Sequence, residues 1–156
     1  MNAFFRPRPH GIATLEVQDH IVLLRVQGPW NAELVMQIHQ DVREARPQLS
    51  GVSWGMMVIV TGSAVFGPDA MEATRSIALQ QTLTMGRAAT AWVIAPFVEG
   101  STFMPRIIES LYSDPADVRI FETVPPAMSW LNKRIAASTQ PFSHRSRPKE
   151  PADSRF

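Results

Sequence analysis

Val118-Arg119-Ile120-Phe121-Glu122-Thr123-Val124-Pro125-Pro126-Ala127-Met128-Ser129-Trp130-Leu131 joins a short apolar run to the start of an amphipathic helix. Val118, Ile120 and Phe121 are β-branched or aromatic residues in a run short enough for a strand. Thr123 stands where a helix N-cap belongs, just ahead of Pro125 and Pro126. Proline suits the first helical turn, because the N–H it lacks would have no partner there. Met128, Leu131 and Ile135 then recur at helical spacing, with Trp130 beside their stripe. A strand passing directly into an amphipathic helix is the closing unit of a small α/β domain.

Upstream, apolar runs and apolar stripes take turns. From Ile12 to Val17, Ala13, Leu15 and Val17 alternate with Thr14 and Glu16, the pattern of an edge strand. Gln18-Asp19 reads as a two-residue turn into a second strand, His20 to Gln27. The unbroken run Ile21-Val22-Leu23-Leu24 predicts a strand covered on both faces. Gly28-Pro29 ends it. Trp30, Leu34, Ile38 and Val42 predict a helix from about Trp30 or Asn31 to Ala45, stopped by Pro47. Trp54 to Val60 is the most apolar strand and is expected at the centre. After the loop from Thr61 to Pro68, Asp69 precedes Glu72 at capping-box spacing, which predicts a second helix reaching Met85 and Gly86. Thr90 to Ala95 is the fourth strand, ended by Pro96. Ser101 or Thr102 is expected to cap a third helix carrying Met104, Ile107, Ile108 and Leu111. Asp114-Pro115 turns the chain into the last strand.

The predicted fold class is therefore α/β: a mixed five-strand sheet with strand 1 antiparallel, strands 2–5 parallel, and four helices. Each crossover between parallel strands should be right-handed and return beside its predecessor, giving a sequential strand order. Residues 1–10 are expected to form an extended arm, since Arg6-Pro7-Arg8-Pro9 cannot start a helix. Residues 11–136 form the domain. Residues 137–156, rich in Ser, Pro and Arg, are expected to be a disordered basic tail.

Composition narrows the function classes. A chain of 156 residues is long enough to bury one ordinary core. It has no cysteine, which removes disulfides, thiolate metal sites and cysteine nucleophiles, and fits a cytoplasmic protein. No window approaches the ~20 apolar residues of a membrane span, and the first ten residues lack the apolar core of a signal peptide. The formal net charge of +1 hides an asymmetry. Residues 10–132 set seven arginines against twelve acidic residues, net −5, and the two ends together carry the balance of +6. Those ends could meet an anionic membrane surface. They carry no interleaved aromatics, so nucleic acid is not expected as a partner.

The element order and the ending Arg119-Ile120-Phe121 … Ala127 … Trp130-Leu131 resemble the STAS, or SpoIIAA-like, domains of anti-sigma-factor antagonists, in particular a STAS-like subgroup of short bacterial proteins. The resemblance spans residues 12–135. It implies a SpoIIAA-like fold and a non-enzymatic regulatory or protein-interaction module acting through the loop after the central strand. It also implies a protein partner and the binding of an apolar ligand at a membrane; self-association as a homodimer is a further expectation. The sequence departs from the family at one place. Anti-sigma-factor antagonists carry an Asp-Ser-Ser-Gly-type motif with a phosphorylated serine after the central strand. Here that region reads Thr61-Gly62-Ser63-Ala64-Val65-Phe66-Gly67-Pro68-Asp69, and Ser63 is the nearest candidate phosphoacceptor.

The candidate ligand- or partner-binding residues are Thr61, Ser63, Phe66, Asp69, Phe97, Phe103 and Trp130. The first four lie in or beside a loop at the carboxyl end of a parallel strand, where such folds place their sites. The other three are aromatic residues near element ends. Met56, Met57, Met71, Met85, Met104 and Met128 read as core, or as the lining of an adaptable apolar pocket for a carried ligand. His10, His20, His39 and His144 have no metal-ligand spacing, and no catalytic or cofactor motif occurs. No cofactor or metal is expected. A small enzyme using Ser63 with a distant histidine is the remaining alternative.

Overall fold

The computed structural model describes residues 11–51 and 53–138. The predicted arm at 1–10 and the tail from 139 onward lie outside the described residues. Five strands, β1 (Ile12–Gln18), β2 (Ile21–Gln27), β3 (Trp54–Thr61), β4 (Arg87–Ile94) and β5 (Val118–Phe121), form one sheet in sequential order. β1 pairs antiparallel with β2, and every later pair is parallel. Four helices complete the fold: α1 (Ala32–Ala45), α2 (Pro68–Met85), α3 (Met104–Ser110) and α4 (Val124–Ser138). The predicted α/β class, mixed sheet and helix count all hold.

The sheet separates two apolar layers, because alternate side chains of a strand point to opposite faces. Val22, Leu24 and Val26 of β2 join Trp54, Met56 and Val58 of β3 under α1, α2 and α3. Ile21 and Leu23 point the other way, with Met57, Ala91 and Val93, and meet Ala127, Leu131 and Ile135 of α4. β2 is thus covered on both faces from Ile21 to Leu24, as its unbroken apolar run demanded. Each such buried aliphatic side chain contributes ~1.5–3 kcal/mol relative to exposure. α4 sits close because β3 carries Gly55 beneath it. A Cβ there would meet Leu131 Cδ1 at 2.6 Å and Ile135 Cδ1 at 2.9 Å.

Element boundaries depart from expectation where local chemistry competes. The hairpin turn is Asp19-His20 rather than Gln18-Asp19, with Gln18 paired to Ile21. Asp19 takes φ 52°, a left-handed conformation that aspartate tolerates better than most residues. α1 begins after Asn31, whose Oδ1 accepts from the Leu34 N–H at 3.0 Å, and Trp30 stays outside the helix. The Asp69 capping box does not form. Pro68 takes the first helical position with its preset φ, so Gly67 is the N-cap and Asp69 falls inside the first turn. Phe103, not Ser101 or Thr102, precedes α3, and Ser101 Oγ donates instead to the Pro96 carbonyl at 2.8 Å. β4 starts at Arg87 rather than Thr90, and α4 continues to Ser138 rather than fading at 137.

Candidate functional site

Parallel strands end together, so the loops after β2, β3 and β4 meet at one edge of the sheet. The loop after β3 is stitched to both neighbours. On one side, Gly28 N–H donates to the Thr61 carbonyl at 3.2 Å and Trp30 N–H to the Val65 carbonyl at 3.1 Å. On the other, Ala64 N–H donates to the Glu99 carbonyl at 2.8 Å and Glu99 N–H to the Gly62 carbonyl at 3.1 Å. Trp30–Phe66 and Ser63–Glu99 are isolated parallel bridges, so the sheet in effect continues past its last regular strand pair. Segments whose backbone groups are paired in this way open less readily than free loops.

Side chains reinforce the stitching. Ser63 Oγ donates to Glu99 Oε1 at 2.9 Å and accepts from the Val65 N–H at 3.2 Å. Phe66 is buried against Trp30, with ring centroids 5.8 Å apart, and Trp30 meets Trp92 at 5.5 Å. Gly28 is where β2 leaves the sheet, in a cis peptide bond to Pro29. A Cβ on Gly28 would overlap the backbone carbonyl of Ser63, so only glycine lets the two segments approach. Beside this platform, the loop after β4 leaves Phe97 88% and Phe103 52% exposed. Asp69 and Glu99 are exposed at the same edge, giving it an acidic border.

The structure brings together six of the seven predicted residues and separates the last. Thr61, Ser63, Phe66 and Asp69 follow one another along the stitched segment and the start of α2, and Phe97 and Phe103 occupy the adjoining loop. Trp130 lies on the opposite face, half-buried beside Phe121 with ring centroids 5.9 Å apart. Phe66 belongs to the core rather than the surface. Ser63 is 5% exposed and its hydroxyl is engaged at both ends. Phosphorylation would require the segment to open and would set a phosphate against the Glu99 carboxylate, a like-charge contact.

A second feature was not anticipated. Arg87, at the start of β4, is 5% exposed. Its guanidinium donates to Gln81 Oε1 at 3.0 Å, to the Ala78 carbonyl at 2.8 Å and to Thr82 Oγ1 at 3.1 Å. It also lies over the Tyr112 ring, 5.4 Å from the centroid. Burial lowers the Arg87 pKa, while Tyr112 and Asp117 oppose that shift. The Gln81 amide reaches on to His39 Nδ1 at 3.0 Å. Since Gln81 Oε1 already accepts from Arg87, the amide nitrogen donates, and His39 Nδ1 is an acceptor on a neutral ring. A cavity of about 50 Å³ adjoins this chain, lined by α1, α2 and the sheet. Gln81 offered a sequence signal: it is a polar residue on the buried side of α2 with Ala70 and Ala78.

His39 makes folding sensitive to pH. Its pKa is lowered, first by burial and then by the Arg43 charge. The unfolded chain therefore binds the proton more readily. Stability from this group is complete above its ordinary value of 6.5 and declines as pH falls through the lower folded value. Urea unfolding across that window should show the decline in the wild type and a flatter profile in His39→Asn. Parallel profiles would assign the slope to other groups.

A scan against protein-family models finds no match, and a search of curated proteins finds no relative. Among the described residues, no helix is long and apolar enough to cross a membrane, and no cluster of three or more His, Asp or Glu could hold a metal ion.

Proposed function

We propose that this protein is a non-enzymatic interaction module of the STAS-like type that docks a protein partner on the carboxyl edge of its sheet. One observation carries the reading: a stitched, pre-organised segment from 61 to 67 beside two strongly exposed phenylalanines, Phe97 and Phe103. Exposed aromatics on a rigid base are the residues that anchor interfaces, because little ordering entropy opposes their burial. The acidic border of Asp69 and Glu99 selects a partner with basic residues around an apolar anchor. The hairpin-first, sequential mixed sheet supports the STAS-like assignment. A cytoplasmic setting fits a chain without cysteine.

The test is affinity capture from native extract with three baits. A partner held by the wild type should be lost with Phe97→Asp/Phe103→Asp, an affinity drop of at least about thirtyfold for two anchors. It should be kept by Leu83→Asp, which alters an exposed apolar residue on α2 instead. Equal retention by both variants would reject this edge as the docking surface.

A further inference from the structure

We propose that the cavity between α1, α2 and the sheet binds a small apolar carboxylate, anchored by Arg87. This site is separate from the partner-docking edge and stands or falls independently of it. The walls are apolar, including Leu24, Ile38, Val58, Ile77 and Trp92, while Arg87, Gln81, His39 and Tyr112 supply a polar end. A volume of about 50 Å³ holds about four water-sized groups, enough for the four carbons of a short branched acid whose carboxylate oxygens meet the polar end. Thr74, Ile77 and His39 line the cavity and are partly exposed, which places an entry between the two helices.

The charge at the polar end is what asks for an anion. A buried cation is costly unless it is paired. Among the described residues, Arg87 makes no ion pair; its three hydrogen-bond acceptors are neutral. Asp117 favours the charge from a distance without forming an ion pair with it, and its Oδ1 accepts from Arg134 at 2.9 Å. Its three bonds use both N–H groups of Nη2 and one of Nη1, so the Nε–H and one Nη1–H remain, and a carboxylate oxygen can accept from either of them. Trp30 has a buried indole N–H with no partner among the described residues; it belongs to the other end of the cavity, beside Trp92, and is a separate donor from Arg87. A phosphate would also find Arg87, but the apolar walls would strip its remaining oxygens of water without replacing it.

The experiment follows the indole N–H signals of the full ¹⁵N-labelled chain. There are four tryptophans, of which Trp30 and Trp92 line the cavity while Trp54 and Trp130 do not. Isobutyrate should shift the Trp30 and Trp92 signals saturably, with a Kd on the order of 1 mM for so small a ligand. Isobutanol, alike in shape but uncharged, should bind at least about tenfold more weakly. Arg87→Gln should abolish the preference for the acid. Because that variant could fail to fold, Thr74→Leu provides a second one. It fills the rim without touching Arg87 and should remove the response in a still dispersed spectrum. The proposal is overturned by an absence of saturation, by an equal response to the alcohol, or by an undiminished response in Thr74→Leu.

Discussion

Trp54→Ala should destabilise the protein by ~3–5 kcal/mol, the range for truncating a core tryptophan. That is a large part of the ~5–15 kcal/mol that holds a domain of this kind together. Trp54 is 0% exposed at the first position of β3. Its indole N–H donates to the Met85 carbonyl at 2.6 Å and its backbone N–H to the Gly86 carbonyl at 3.2 Å. One residue thus ties the central strand to the end of α2 while filling the layer beneath α1. Arg46 Nε also donates to the Met85 carbonyl, at 3.1 Å, so the acceptor keeps a partner in the variant. The loss should therefore come mainly from the void. Trp130→Ala is the useful contrast. Trp130 is only partly buried, at the margin of the layer under α4, and packs on Phe121. Its truncation should cost only ~1–2 kcal/mol. Urea unfolding of both variants ranks them, and a larger loss for Trp130 would contradict this account of the two layers.

Gly28→Ala is the second substitution with a large expected effect, although it adds a single methyl group. That methyl would overlap the backbone carbonyl of Ser63, which cannot rotate away as a side-chain tip could. Relief requires the end of β2 and the segment after β3 to separate. The Gly28–Thr61 and Trp30–Val65 hydrogen bonds would then be strained together. Overpacking of this kind costs up to ~3 kcal/mol. The damage should also be local. Amide exchange should accelerate from 28 to 30 and from 61 to 66, while β4 and α4 keep most of their protection. Because the proposed partner surface rests on that segment, capture should weaken even where the variant remains folded. Wild-type exchange rates in those segments would show that the chain accommodates the methyl without moving them.

Much of the architecture was legible because β2 and α1 carry strong, unambiguous periodicity. Ile21 to Leu24 could be read as a doubly covered strand, and Leu34, Ile38 and Val42 as a helix stripe, without tertiary information. Boundaries failed where one residue had two competing uses. Pro68 displaced the cap expected at Asp69, and Ser101 spent its hydroxyl on Pro96 rather than on a helix end. The candidate edge was legible in part, since loops after parallel strands gather at one side whatever their sequence. Its stiffness was not legible, because it rests on backbone bonds between segments about 35 residues apart in the chain, such as Ser63 with Glu99. Arg87 was missed for a related reason. An arginine looks like a surface residue until the last turns of α2 supply an amide, a carbonyl and a hydroxyl to hold it.

The sequential strand order governs how the chain assembles. Every strand pairs only with its neighbours in sequence, so the sheet can grow outward from the β1–β2 hairpin one crossover at a time. A nascent chain on the ribosome can therefore lay down β3 and β4 before β5 has been made. The layer under α4 follows a different timetable. Ile21, Leu23, Met57, Ala91 and Val93 wait uncovered until the last helix arrives and folds back over β3 and β4. An incomplete chain ending before Val124 would present that bare apolar face to every other protein in its surroundings. Premature termination should thus produce a sticky, chaperone-dependent species rather than a smaller working domain.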